Sequence, residues 1–253
     1  MSFKKAFGAV LAAFCAVSAF AAPAQAEQWT RKSFLMPKGS FELTGDPARP
    51  VMMDINASRN SFLEPVKINP HLYWAVTDDL SLGISHRDGL CMNGCAKPYN
   101  DAGFDLMYYL TGSPKFELDL HAGIPISSFD PFRLGIQGGV LGRVNLGNIT
   151  AFVFDPSVYI GVTNRRLGNG QGIDLPFWFY FQATDVVVPF VGSGVGGPFD
   201  DFGNHFNLPL EGGILFDVAR DVDIGFSMRF HNLVGPDGNA DARSLFFLGR
   251  FRF

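Results

Sequence analysis

Residues 206–218, FNLPLEGGILFDV, carry the alternation of side chains that decides the fold. Every second residue from Phe206 to Val218 is apolar or glycine, whereas Glu211 and Asp217 occupy the opposite parity. Side chains point to opposite faces of a β-strand in turn, so a period of two is typical of a strand with one polar and one apolar face. The segment therefore predicts a β-strand.

The same alternation recurs along the chain at residues 66–76, 115–124, 152–162 and 223–231. These segments run for about 9 to 13 residues. Strands of soluble sheets most often have about five or six residues, whereas a tilted strand needs about 9–11 to cross a bilayer. A soluble β-sandwich also alternates and is the alternative. The strand length and the charged residues repeated along one face favour the membrane.

Connection lengths sharpen this prediction. The alternation predicts strands at 66–76, 80–87, 102–111, 115–124, 132–144, 149–162, 173–184, 186–194, 205–218, 222–232 and 243–253. A first strand lies within 40–57, interrupted by Gly45-Asp46-Pro47. Tight turns and long loops alternate between these strands, as in bacterial outer-membrane barrels. We therefore predict an all-β, transmembrane, antiparallel, up-and-down β-barrel of about 12 strands.

The N-terminus carries a different pattern. Lys4 and Lys5 precede an uncharged apolar run at 6–22, and Ala24-Gln25-Ala26 supplies a small-x-small cleavage site. These features predict a secretory signal peptide over residues 1–26 and a single barrel domain over 27–253. A membrane anchor is the alternative, but a run of about 17 residues is short for a spanning helix.

Composition excludes other classes. The net charge is −4 and the pI is near 5.7, so no basic face is available and we expect no nucleic-acid partner. Three cysteines are too few for a disulfide scaffold.

The last ten residues, SLFFLGRFRF at 244–253, bring a resemblance to a known group. Leu245, Phe247, Phe251 and Phe253 share one face, and the chain ends on phenylalanine. This segment resembles the C-terminal signal of bacterial outer-membrane β-barrel proteins. The resemblance implies location in the outer membrane of a Gram-negative cell. It also implies contact with outer-membrane lipid and recognition of Phe251 and Phe253 by the barrel assembly machinery.

Strand parity predicts which side chains face the barrel lumen. The predicted set is Lys67, His71, Arg87, Asp105, Glu117, Asp119, His121, Arg133, Arg143, Asp155, Asp174, Glu211, Asp217, Asp223, Arg229, Arg250 and Arg252. Pairing about the turn at 219–221 places Glu211 opposite Arg229, which predicts a cross-strand ion pair. Arg250 and Arg252 face the first strand, near Glu42 or Asp54 according to the closing register.

Charges of both signs in the lumen leave two functions open. A barrel of about eight strands holds only side chains or one small ligand, and roughly sixteen strands give an open aqueous channel. About 12 strands lie between these limits, and bulky inward residues narrow the opening: Tyr73, Tyr109, Tyr159, Trp178 and Tyr180. We predict a narrow, porin-like, passive channel for small hydrophilic solutes. The alternative is a non-conducting structural or surface-interaction barrel with paired lumen charges. The oligomeric state is left open.

Enzyme chemistry is not expected. A barrel hydrolase needs a serine beside a histidine that activates it, but consecutive Ser85 and His86 point to opposite faces of a strand. Asp200, Asp201 and His205 lie in a loop, where acidic residues commonly serve solvation. We therefore assign no catalytic residue.

Metal and cofactor sites are not expected either. Residues 237–241, DGNAD, match the start of a calcium loop, but Ala242 replaces the required glycine and Leu248 the required glutamate. Cys91 and Cys95 lie in the longest predicted loop, at 88–101, around Met92-Asn93-Gly94. Without nearby histidines they fall short of a zinc site, so we predict a disulfide in an extracellular loop.

Overall fold

A computed structural model describes residues 28–59, 61–86, 89–236 and 238–253. The predicted signal peptide lies outside these residues. The described part contains sixteen β-strands, two short 3₁₀ helices and one helical turn, Phe202–His205. The strands are β1 Phe41–Thr44, β2 Val51–Asn56, β3 Val66–Ile68, β4 His71–Ala75, β5 Leu80–Ser85, β6 Leu90–Asn93, β7 Ala102–Ser113, β8 Phe116–Phe129, β9 Phe132–Asn145, β10 Thr150–Phe154, β11 Ser157–Gly161, β12 Gln171–Phe181, β13 Val187–Pro198, β14 Leu208–Ala219, β15 Val222–Val234 and β16 Asn239–Arg252.

These segments build a closed antiparallel barrel of twelve wall strands, as predicted. Four wall strands consist of two segments each, namely β1 with β2, β3 with β4, β5 with β6, and β10 with β11. β16 closes the barrel, since it pairs with β1 at Glu42↔Arg252 and with β2 at Ser244↔Asn56. Closure removes both sheet edges, which lipid could not hydrogen-bond.

The interruptions correct the predicted strand bounds. The strand expected at 66–76 breaks at Asn69-Pro70, and the strand expected at 149–162 breaks at Asp155-Pro156. Proline has no N–H to donate to a ladder, which accounts for both breaks. The expected interruption of the first strand is confirmed and spans residues 45–50.

Two loops also differ from the prediction. β8 and β9 extend until only Asp130 and Pro131 separate them, so the long loop expected at 125–131 is a tight turn. β6 forms inside the loop expected at 88–101 and pairs with β3. The disulfide Cys91–Cys95 is present, but Cys91 belongs to β6 rather than to irregular loop.

The outer wall is apolar. Large exposed hydrophobic side chains follow alternate positions of β7, as Phe104, Leu106 and Tyr108 show, while Met107 between them is buried. Such a continuous apolar surface matches the lipid-facing band of a transmembrane barrel. Within the described ranges, none of the helices has the length and apolar character needed to span a membrane.

The barrel has two distinct ends. The turns after β4, β7, β9, β12 and β14 lie at one end, which we name the turn end. The other end carries the longer connections and the disulfide, and we name it the loop end. In outer-membrane barrels, short turns face the periplasm and long loops face outward.

Candidate functional site in the barrel lumen

The loop-end half of the lumen is hollow. A cavity of about 490 Å³, which we name the vestibule, lies inside the wall. Its lining is polar and titratable for the most part, with five aspartates, four histidines and two arginines: Asp46, Asp54, Asp105, Asp155, Asp174, His71, His86, His121, His231, Arg49 and Arg229. Trp178, Tyr73 and Phe246 add aromatic surface. Most of these side chains sit on the parity opposite the lipid-facing residues of their strands.

The vestibule continues toward the loop end. A second cavity of about 470 Å³ shares Asp54 and His231 with it and is lined further along by Lys67, Asp241 and Arg243. The two cavities together form a polar passage from the outer loops to the middle of the barrel.

Close polar contacts fix several of the lining side chains. His121 Nε2 lies 2.7 Å from Asp155 Oδ1, and His231 Nε2 lies 2.8 Å from Ser244 Oγ. His71 Nε2 lies 3.0 Å from the His86 carbonyl oxygen. The wall therefore positions these imidazoles instead of leaving them to move freely in the passage.

The interruption of the first strand contributes Asp46, Pro47 and Arg49 to the lining of the vestibule. Residues 45–50, which we name the inward loop, turn into the lumen, where Ala48 is fully buried. Tyr180 donates from its hydroxyl to the Ala48 carbonyl oxygen at 3.1 Å, and Arg250 donates to the Pro47 carbonyl oxygen at 2.6 Å. Arg49 Nη1 lies 2.7 Å from Glu211 Oε2.

Below the inward loop, the chain's own N-terminus closes the turn end. Residues 28–36, which we name the N-terminal segment, lie across the lumen with Trp29 only 2% exposed. The Trp29 and Tyr180 ring centroids are 4.1 Å apart. Trp29, Phe34 and Leu35 join one apolar cluster with inward residues of the wall such as Leu215. The turn-end half of the lumen is therefore a packed core, not a passage.

Lys32 is the main polar contact of this segment. Its ammonium group lies 2.6 Å from Asp217 Oδ1 and 2.9 Å from Asp223 Oδ1, and it donates to the Ala219 carbonyl oxygen at 3.0 Å. Lys32 is 4% exposed, and both aspartates are 1% exposed or less. One cation from outside the wall thus binds two buried carboxylates beside one turn, and Arg250 of β16 supplies a second positive charge 3.8 Å from Asp223.

A second set of polar contacts holds the residues that follow Lys32. Glu117 accepts hydrogen bonds from Ser33 Oγ and from the Phe34 backbone N–H, the latter at 3.0 Å. Arg143 lies 2.6 Å from Glu117 through Nη2 and donates to the Lys32 carbonyl oxygen through Nη1. The wall therefore recognises both the side chains and the backbone of the segment.

The predicted lumen residues separate into these two halves. Six line the vestibule: His71, Asp105, His121, Asp155, Asp174 and Arg229. Seven lie in the turn-end half: Glu117, Asp119, Arg143, Asp217, Asp223, Arg250 and Arg252. Lys67 lines the outer cavity, Glu211 binds the inward loop, and Arg133 lies near Gly168 outside both cavities. Arg87 lies outside the described residues.

Three detailed expectations have different outcomes. Glu211 pairs with Arg229 in register, which confirms the alignment, but the ion pair is wrong because Arg49 of the inward loop binds Glu211 instead. The predicted contact of Arg252 with Glu42 is confirmed at 2.6 Å. Asp54 lies opposite Phe246 and away from this contact.

One argument from parity is also wrong. His86 follows the end of β5, so it no longer obeys the alternation, and both Ser85 and His86 line the vestibule. His86 Nδ1 lies 3.3 Å from the hydroxyl of Tyr99. The recognition of Phe251 and Phe253 by the assembly machinery stays a prediction.

The sequence pattern did not predict that the N-terminal segment and the inward loop enter the lumen. Their signals were present, since Trp29, Phe34, Leu35 and Met36 are unusually apolar for residues before the first strand. No alternation accompanies them, so parity gave no direction for these side chains.

The fold and the lumen together define the class. The chain forms a closed β-barrel with twelve antiparallel wall strands, an apolar exterior and a polar interior, which is the architecture of outer-membrane β-barrels. No protein-family model matches the chain, and the curated proteins give no match.

Among solved structures, the barrel is similar to the KdgM and NanC porins. A structure of the KdgM porin in complex with disordered oligogalacturonate aligns with a TM-score of 0.54 at 8% identity and covers 85% of this chain and 98% of that one. A NanC porin structure aligns with a TM-score of 0.53 at 7% identity and covers 84% of this chain and 98% of that one. At these identities, the similarity concerns the fold.

Proposed function

We propose that this barrel is a passive outer-membrane channel for small hydrophilic solutes. The observation that carries the proposal is the vestibule, a charged and mostly polar cavity of about 490 Å³ inside the wall. A cavity of this size lies in the range of small-molecule sites, about 300–1,000 Å³. The porin fold of KdgM and NanC supports the same function. We propose no enzymatic role.

The charge of the vestibule favours neutral and cationic solutes. Five aspartates line it, whereas Arg49 is engaged by Glu211 and Arg229 is the other arginine. The aspartates outnumber the arginines, and a cavity with an excess of negative charge concentrates cations. The proposed channel therefore disfavours acidic solutes.

A second function has its own supporting observation. The N-terminal segment closes the turn end, so the lumen is a blind cavity that opens only toward the loop end. A barrel that stays closed would act as a non-conducting structural or surface-interaction protein. Only a conduction measurement separates the two functions.

The test is ion conductance of the refolded protein in planar bilayers. We expect stepwise conductance in the chain that lacks residues 28–36, with heat-modifiable gel migration as the check that it has folded. Arg229→Gln should change its ion selectivity, because Arg229 lines the vestibule. Arg133→Gln is the matched control, because Arg133 lies outside both cavities. Folded barrels without conductance would refute the proposal.

A further inference from the structure

The N-terminal segment closes the barrel without being part of its wall. Its regular structure is one turn of 3₁₀ helix, Trp29–Arg31, and the sheet pairing runs from strand to strand without it. The closing contacts of β16 are with β1 and β2, so no ladder hydrogen bond depends on residues 28–36. The segment can leave the lumen while the barrel stays closed.

A short exposed turn attaches the segment to the wall. Pro37, Lys38 and Gly39 are exposed, and Gly39 has a φ of +86°, a left-handed conformation that glycine adopts without strain. At the end of this turn, the Gly39 N–H donates to the Ala75 carbonyl oxygen of β4, and the Ala75 N–H donates to the Ser40 carbonyl oxygen. This turn is a tether on which the segment can swing as a unit.

Some contacts of the segment favour the closed position, and others oppose it. Burial of Trp29, Phe34 and Leu35 favours the closed position, because their apolar surface leaves water. Trp29 Nε1 and Thr30 Oγ1 are buried without a hydrogen-bond partner among the described residues, which opposes closure because water would hydrogen-bond these groups. The ion pairs of Lys32 with Asp217 and Asp223 add the strongest polar contacts on the closed side.

We infer that residues 28–36 are a displaceable gate of the turn end and that Lys32 is the latch that holds it closed. This inference rests on the proposed channel function and adds its regulation. In the closed position Lys32 bridges Asp217 and Asp223, and the apolar residues fill the turn-end half of the lumen. In the open position the segment swings on the 37–39 turn toward the turn-end side, and the vestibule becomes continuous with the other side of the membrane.

Displacement can be measured without conduction. Thr30→Cys places a small thiol in the closed gate, at a position 2% exposed whose hydroxyl has no partner. The native pair Cys91–Cys95 is disulfide-bonded and does not compete for a thiol reagent. The rate of labelling by a water-soluble maleimide then reports how often the segment leaves the lumen.

The decisive comparison adds Lys32→Gln to this labelling variant. We expect labelling at least about tenfold faster, because two charge-assisted hydrogen bonds to buried carboxylates are lost. Lys38→Gln, the same change at an exposed lysine of the tether, should leave the rate unchanged. Equal labelling rates in the Lys32→Gln and Lys38→Gln backgrounds would overturn the latch.

Conductance measurements then distinguish a failure of the proposed gate from a failure of the proposed channel function. Lys32→Gln and deletion of residues 28–36 should both raise the open probability above that of the intact chain. If the intact chain conducts as well as the deletion variant, the gate is wrong and the channel stands. If labelling rises in Lys32→Gln but neither variant conducts, the segment moves and the proposed channel function is wrong.

Discussion

The two halves of the lumen are built from the same strands, but one half encloses a cavity and the other is packed. In the loop-end half, inward positions carry aspartate and histidine around a cavity. In the turn-end half, inward positions such as Val153, Val188 and Leu215 are fully buried around the N-terminal segment. The difference shows that parity decides which side chains enter a barrel, whereas the N-terminal segment, which covers both apolar and charged inward residues of the turn-end half, decides whether water reaches them.

The largest effect is expected in the apolar half. Leu215→Ala should lower the free energy of unfolding from lipid vesicles by about 2–5 kcal/mol, because it leaves a cavity in a packed region. Leu210→Ala is the control on the same strand, since Leu210 is 39% exposed on the outer wall. Urea titration measures both. A loss at Leu215 no larger than that at Leu210 would mean that the turn-end half is not a packed core.

A smaller effect is expected at the boundary between the halves. Glu211→Ala removes the partner of Arg49 and the acceptor of the Ser227 hydroxyl at 2.6 Å. We expect a loss of about 1.5–3 kcal/mol, the usual range for hydrogen bonds to charged groups. Glu211→Gln keeps an acceptor for Ser227 and should lose less. A Glu211→Gln variant as stable as the unmodified chain would show that the charge of Glu211 does not hold the inward loop.

The smallest effect is expected in the hydrated half. Asp105→Asn or Asp174→Asn in the chain lacking residues 28–36 should leave stability nearly unchanged and reduce the preference for cations. One unit charge about 10 Å away in water contributes about 0.4 kcal/mol, roughly a factor of two in the permeability ratio. Reversal potentials in a salt gradient measure this ratio. An unchanged permeability ratio in both variants would show that the vestibule aspartates do not determine ion selectivity.

Much of the wall could be predicted from the sequence. Alternation over segments such as 206–218 is imposed by lipid on one side and a polar lumen on the other, so one sequence pattern encodes both faces. The errors occurred where a backbone feature overrode alternation. Pro156 interrupts a wall strand, and His86 leaves the strand parity because β5 ends at Ser85.

The candidate site could be predicted only in part. Parity predicts that residues such as Asp105 and His121 face the lumen, and both line the vestibule. Parity could not predict that Glu211 pairs with Arg49 instead of Arg229, because the inward loop is not a strand and has no register. For the same reason, the occupation of the lumen by Trp29 and Lys32 required the three-dimensional structure.

The central claim is that the lumen is hydrated at the loop end and closed by the N-terminal segment at the turn end. Thiol labelling of variants with one introduced cysteine along the lumen tests it most directly, with Asp105→Cys and Asp174→Cys in the vestibule and Val153→Cys and Leu215→Cys below it. The account predicts fast labelling of the first pair in the intact chain, and fast labelling of the second pair only after deletion of residues 28–36. Equal labelling of all four positions in the intact chain would contradict it.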